Sequence, residues 1–146
     1  MKIQTRDFGE IEINTEEIIT FCSGIYGFED YKNFVLLYDD TVDAPFTWLQ
    51  STEEKNICFI LAEAEAVGIL GYHPKLTIET RSMLELGNDE PVYRLITVIP
   101  EKFEDASVNL KSPIVLNVKT KMAAQVILED NYPIRARLMP QKEGAR

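Results

Sequence analysis

Residues able to do chemistry are few in this chain and poorly grouped for it. The single histidine, His73, precedes Pro74 in a stretch that reads as a turn. Without a second imidazole, a histidine-based zinc site or a nucleophile–histidine pair has little to build on, so His73 is assigned to a loop. Cys22 and Cys58 each lie among apolar neighbours, as in Ile57-Cys58-Phe59-Ile60. Small thiols in such a setting and in a reducing compartment are expected to be buried and unpaired. Asp39, Asp40 and Asp43 form a carboxylate cluster ahead of Ala44-Pro45. Calcium loops space carboxylates at alternate positions around a central Gly and end on a Glu; this cluster does not, and it reads as a solvated acidic turn or a charged contact for a partner. Gly24 and Gly27 stand among Phe21, Tyr26 and Phe28. A phosphate cradle would need glycines opening a helix, with a following Lys-Ser/Thr or a dinucleotide-binding context, so the stretch is read instead as a tight loop pinned by aromatics. No catalytic, cofactor-binding or metal-binding residue is assigned.

The whole chain sets the frame for these residues. Its 146 residues suit one domain with a real core and no need of metal or disulfide staples. Hydrophobic content of 45% and charged content of 27% are ordinary for a globular protein. No apolar run reaches the roughly 20 residues that span a bilayer, and the first residues carry no apolar signal segment, so a cytoplasmic protein with no membrane partner is expected. A net charge of −9 argues against direct nucleic-acid binding, because Lys and Arg supply most of the affinity for phosphate. The charge is unevenly placed: residues 1–65 hold 14 acidic against 4 basic side chains, whereas residues 132–146 hold 4 basic against 1 acidic. Such polarity steers encounter with an oppositely charged surface.

Short strands with closely spaced turn signals dominate the pattern. Residues 2–8 and 10–13 alternate as two strands about a Gly9-Glu10 turn. Asn14 and Glu17 have the spacing of a capping box for a short helical turn. Residues 33–38, 46–51 and 57–61 read as strands, the last two joined as a hairpin through Glu53-Glu54-Lys55-Asn56. The stretch 62–71 has strand-like alternation but helix-forming composition, and its class stays open. Lys75 to Glu79 alternates as a strand, 80–86 suits a short helix stopped by Gly87-Asn88, and 92–99 is a strong strand between two prolines. From 106 to 128 the chain has no acidic residue. Within that island the apolar runs 114–116 and 126–128 flank Thr120-Lys121 as a hairpin, with Pro113 before the first strand and Asn109 and Asn117 bracketing it. The expected fold is mainly β: a small β-barrel or roll of short antiparallel strands with one or two short helices, covering residues 1–134, followed by a basic, flexible tail over 135–146.

Asn109-Leu110-Lys111-Ser112-Pro113-Ile114-Val115-Leu116-Asn117 closely resembles the hallmark segment of the bacterial flagellar assembly factor FliW family. Phe8-Gly9-Glu10-Ile11, Phe21 with Gly24, Gly27 and Phe28, Leu49-Gln50-Ser51, Gln125 with Ile127-Leu128, and Tyr132 match that family in order. The chain departs from it at Cys22, where a Pro is usual, and at Glu63-Ala64-Glu65-Ala66, where an Asp-Pro tends to stand. The resemblance implies a non-enzymatic protein, free of cofactors, that binds newly made flagellin and, when flagellin is scarce, binds and antagonises the RNA-binding translational repressor CsrA. A monomer is expected when the protein is free of partners.

Candidate partner contacts follow from residue type. Phe28, Tyr31, Phe46 and Trp48 are aromatics with polar neighbours, the type that anchors interfaces, although a small barrel also needs such residues inside. Asp39, Asp40 and Asp43 could face a basic partner, and Asn109, Lys111 and Asn117 are the polar members of the hallmark segment, placed either to pin turns or to touch a partner. An interaction module of the same fold with a different partner is the alternative reading, and a small hydrolase comes last because no nucleophile–base pair is visible.

Overall fold

A computed structural model describes residues 1–39 and 45–138. Asp40, Asp43 and the last eight residues of the expected tail fall outside them. The strands are β1 (Lys2–Gln4), β2 (Glu10–Glu12), β3 (Ile19–Phe21), β4 (Asn33–Leu37), β5 (Phe46–Ser51), β6 (Cys58–Ala62), β7 (Val92–Val98), β8 (Ser107–Val108), β9 (Ile114–Asn117), β10 (Met122–Gln125) and β11 (Ala136–Arg137). One short α-helix, α1, spans Ile78–Met83.

Strands β7, β6, β5, β4, β3, β10 and β9 hydrogen-bond in that order, and β9 pairs back onto β7, so the sheet closes into a barrel. Closure removes the free edges that a flat sheet of this length would expose. All pairings are antiparallel except β3 with β10, which run parallel. Alternation along each strand turns Phe21, Phe34, Leu49, Leu61, Ile114 and Ala123 inward, and all six are buried in one cluster. Burying a side chain of the size of Phe21 or Phe34 stabilises the fold by about 2–3 kcal/mol.

Three outer layers cover the barrel wall. The β1–β2 hairpin lays Ile3 and Ile13 on Val35 of β4. Leu84 and Leu86, just after α1, pack on Val115 of β9 and Ala124 of β10. Val67, Val108 and Leu110 gather with Ala62 and Leu95 on the outside of β6 and β7.

Several boundaries differ from the sequence reading. Residues 6–9 leave the first hairpin ladder: the Thr5 hydroxyl donates to Gly9 O at 2.6 Å and accepts from Phe8 N at 2.8 Å, which makes a wider turn than Gly9-Glu10. That bend frees Phe8 to meet Trp48 edge to face at 5.2 Å. The second strand of the hallmark hairpin is Met122–Gln125, not 126–128. A turn closed by Lys121 N on Asn117 O at 2.8 Å sets this register, with Lys121 at φ 63°, and it puts the small Ala123 opposite Leu116. The apolar 126–128 run continues outside the ladder, where Val126 N reaches Pro113 O and Leu128 N reaches Lys111 O. Residues 75–79 are not a strand. The Thr77 hydroxyl accepts from Thr80 N at 3.1 Å and starts α1 there, so capping chemistry overrides the alternation. Ala136–Arg137, assigned to the tail, instead pairs with Val108 and Ser107, carrying the domain past residue 134. The open stretch 62–71 contains a 3-10 turn at Glu65–Val67 that ends on Gly68 at φ 84°.

Other expectations hold as stated. Asn14 and Glu17 form both halves of the capping box, and β5 and β6 form a hairpin with Phe46 opposite Ala62.

Candidate protein-binding surfaces

The two ends of the barrel are built differently. At the end where β3 delivers Phe21, residues 22–31 fold over the opening. Ile25 is 1% exposed and acts as the plug. Tyr26 N donates to the Gln125 Oε1 at 3.0 Å, Phe28 N to Ile25 O at 2.7 Å and Tyr31 N to Phe28 O at 3.0 Å, so the loop is braced throughout. Gly24 sits at φ 78°, and a Cβ there would lie 2.9 Å from the Glu29 Cα. The glycine-aromatic signal in the sequence therefore marks a plug, with no helix behind it.

The bracing leaves part of the loop outside. Phe28 meets Phe59 edge to face at 5.2 Å yet keeps 38% of its surface exposed, and Tyr26 is 55% exposed. Gln125 ties this loop to the segment after β10, where Ile127 is 54% exposed. Exposed aromatics braced by backbone hydrogen bonds are suited to anchoring a partner, because little ordering is needed on contact. Of these, only Phe28 is singled out by the sequence; Tyr26 lies between the two glycines, and Ile127 has the pattern of a core strand residue.

The remaining candidates do not converge on that patch. Tyr31 is half-buried against the barrel core. Phe46 and Asp39 lie at the opposite end, and Trp48 is half-buried on the outer wall under Phe8. The hallmark polar residues bind their own chain. The Asn109 Oδ1 accepts from Ser112 N at 2.9 Å, and the Lys111 Nζ donates to Asp130 O at 2.7 Å. Asn117, 4% exposed, donates from Nδ2 to Leu84 O at 2.8 Å and accepts at Oδ1 from Lys119 N at 3.0 Å, which holds the segment after α1 against the hairpin.

A second surface, not foreseen from the sequence, lies beside α1. An open groove of about 720 Å³ runs between Tyr72, His73 and Lys75 on one side and Arg81, Glu90 and Tyr93 on the other. Tyr72 anchors it: its hydroxyl donates to Leu110 O at 2.7 Å, and its ring meets Tyr132 at 4.8 Å and Tyr93 at 6.5 Å. Burial pushes both the Tyr72 and Tyr93 phenols above their ordinary pKa, so both stay protonated as donors. Arg81 holds the far wall by donating to Gly87 O and Asp89 O, each at 3.0 Å. His73 is a loop residue, as expected. The groove joins residues from distant parts of the chain, and no local motif signals it.

Both cysteines are free thiols, and burial pushes the Cys58 thiol up to about 11, leaving it protonated and unreactive at neutral pH. Among the described residues no group of three or more His, Cys, Asp or Glu is placed to hold a metal. No helix among them is long and apolar enough to cross a membrane.

Comparison with known proteins places this architecture. A family model described as FliW protein matches residues 2–138. The flagellar assembly factor FliW of Caldanaerobacter subterraneus subsp. tengcongensis is 34% identical over 151 residues, covering 99% of this chain and 97% of that protein. The flagellar assembly factor FliW of Syntrophus aciditrophicus is 39% identical over 145 residues, covering 98% and 90% respectively. A solved structure described as the crystal structure of the flagellar assembly factor FliW superposes with a TM-score of 0.87 at 35% identity, over 97% of this chain and 99% of that one.

Proposed function

Because the chain belongs to the FliW family of flagellar assembly factors, we propose that it is a non-enzymatic, cytoplasmic partner-switching regulator that binds flagellin and, when flagellin is scarce, binds and antagonises the translational repressor CsrA. The observation that carries this reading is the likeness to FliW over nearly the whole length in both sequence and backbone. Two ligands of one binder need only compete, or bind with negative coupling, for free flagellin to release CsrA by mass action. Flagellin synthesis then follows its export.

The charge balance supports the antagonism. An acidic body with a net charge of −9, docked near a basic RNA-binding surface, repels phosphate and weakens RNA binding even without covering the site. The acidic residues Asp39, Asp40 and Asp43 are the proposed steering group. Replacing all three by Asn keeps side-chain size and removes only the charge, and is expected to leave the melting temperature within about 2 °C. Association with CsrA should slow several-fold at low salt, and the difference from the unmodified protein should vanish at high salt. Stopped-flow association at two ionic strengths checks this; equal rates at both would remove the three residues from the mechanism. The exposed patch of Phe28 with Tyr26 and Ile127 is the proposed apolar anchor for a partner segment.

A further inference from the structure

The groove beside α1 runs against the charge of the rest of the protein. The chain carries −9 overall, yet His73, Lys75 and Arg81 line this groove and Glu90 is the one acidic residue among its walls. Asp89, next to Glu90, is taken up by Lys119 at 2.9 Å. His73 and Lys75 are exposed, and Arg81 and Tyr93 are half-buried, so a ligand in the groove reaches all four. Among the described residues, neither the Lys75 ammonium nor the Tyr93 hydroxyl has a hydrogen-bond or ion-pair partner. Arg81 is held from one side only: Nη1 donates to Gly87 O and Asp89 O, which leaves its Nε and Nη2 without an acceptor among those residues. Its guanidinium is thus already oriented before any ligand arrives.

The apolar part of the surface extends past the groove. Tyr93, Pro74 and Leu76 contribute its apolar walls. Just beyond the two ends of the 72–76 segment stand Leu70 and Ile78, 78% and 83% exposed, the two most exposed large apolar side chains among the described residues. Burial raises the Tyr93 phenol most, the Glu90 charge raises it further and the Arg81 charge opposes it, so the hydroxyl lies in the field of both.

We propose that this groove takes an extended acidic segment of a protein partner, its Glu or Asp carboxylates paired with Lys75 and Arg81 and its apolar residues lying on Tyr93, Pro74 and Leu76. Arg81 can accept a carboxylate on its free edge, and the Tyr93 hydroxyl can donate to a carbonyl of the segment. The volume, about 720 Å³, is in the range of ligand sites, but the groove is open, so a small molecule would keep one face in water. A polypeptide crossing it continues onto Leu70 or Ile78 and covers apolar surface that a free anion leaves exposed. Nucleic acid fits less well: its phosphates come in a row, and beyond these few cations they would meet a protein of net charge −9. No residue of the Phe28 patch lines the groove, so this is a separate surface. The proposal does not depend on flagellin or CsrA being the partners, because the probes below are neither.

The test is a titration of the full-length protein followed by NMR, with the Lys75 and Tyr93 amides and the Arg81 Nε–H as reporters and the Gly24 amide as a reference that should stay still. The probes are a Pro-Glu-Leu-Glu-Pro peptide blocked at both ends, its Pro-Gln-Leu-Gln-Pro twin, sodium acetate and a short oligouridine. The Glu peptide should saturate the reporters in the millimolar range or below, about tenfold more tightly than the Gln twin at low salt, and that advantage should shrink at high salt. Lys75→Gln should weaken the Glu peptide about threefold or more, and Glu90→Gln, which removes the opposing charge, should tighten it about twofold. Both residues are exposed, so neither variant disturbs the core. Equal affinity for the two peptides, or no change in either variant, would overturn the proposal. Acetate saturating the same reporters at the same concentration as the Glu peptide would make the groove a free-anion site and overturn it. Oligouridine moving them while the peptide is silent would assign it to nucleic acid, with the same result, and silence to every probe would leave the groove without a ligand of this class.

Discussion

Gln50→Ala should be among the most damaging single substitutions in this protein, lowering stability by about 2–4 kcal/mol and the melting temperature by about 10 °C. Gln50 is fully buried although its side chain points away from the barrel core. Its Oε1 accepts from Arg6 N at 3.0 Å, and its Nε2 donates to Ser51 O at 3.1 Å and Lys55 O at 3.0 Å. One amide thus fixes both the first hairpin and the β5–β6 turn. Truncation leaves Arg6 N and Lys55 O without their partners, and an orphaned buried group costs far more than a typical hydrogen bond contributes. Arg6 reaches further, from its Nη1 to Cys58 O at 2.9 Å, so loosening this point frees the hairpin that covers Val35. Amide exchange should accelerate at Arg6 and Thr5 first. A thermal melt shifted by less than about 2 °C would show that the amide is not the pin.

Gly24→Ala should cost about 2–4 kcal/mol, with Gly27→Ala as its internal control at about 1 kcal/mol. Both glycines have left-handed backbone, φ 78° and 88°, so both substitutions carry the same conformational penalty. They differ in what a Cβ meets: at Gly24 it lies 2.9 Å from the Glu29 Cα and 3.3 Å from Glu29 O, whereas at Gly27 nothing lies within 4 Å. The clash is with backbone, which cannot swing aside as a side chain can. The loop must therefore open, lifting Ile25 from the barrel end and exposing residues 22–31 to proteolysis. Equal melting temperatures for the two variants would mean the close approach is relaxed at no cost, contradicting the plug. If the loop carries a partner anchor, Gly24→Ala should also weaken that partner at temperatures where the barrel stays folded.

Much of the barrel was readable from local signals. Asn14 and Glu17 stood at capping-box spacing, the β5–β6 hairpin had turn residues between two strand-forming runs, and Pro113 marked the start of β9; each outcome depends on groups a few residues apart. Errors arose where a distant part of the fold decides. Apolar residues 126–128 looked more strand-like than Met122–Gln125, but closure through Ala123 beside β3 favours small residues in the wall. Ala136–Arg137 looked like a tail because two residues carry no pattern, yet β8 offers them a free edge.

The candidate surfaces were less legible than the fold. Asn117 and Lys111 stand out in the sequence, but their polar groups are taken up by the chain's own carbonyls. The Tyr72 groove and the exposed Tyr26 and Ile127 arise only when segments far apart in sequence meet around the barrel. Hydrophobic periodicity reports which side of a strand faces inward; it does not report which distant segments meet on the surface.

The central claim is that one binder serves two partners that displace one another. Competition tests it most directly: the complex of this protein with CsrA is challenged with rising concentrations of flagellin while CsrA binding to a labelled flagellin leader RNA is followed. Release of CsrA, and return of its RNA binding, in step with flagellin occupancy is the predicted result. Failure of either partner to bind at micromolar concentrations, or a ternary complex in which flagellin binds while CsrA stays held and silent, would contradict it.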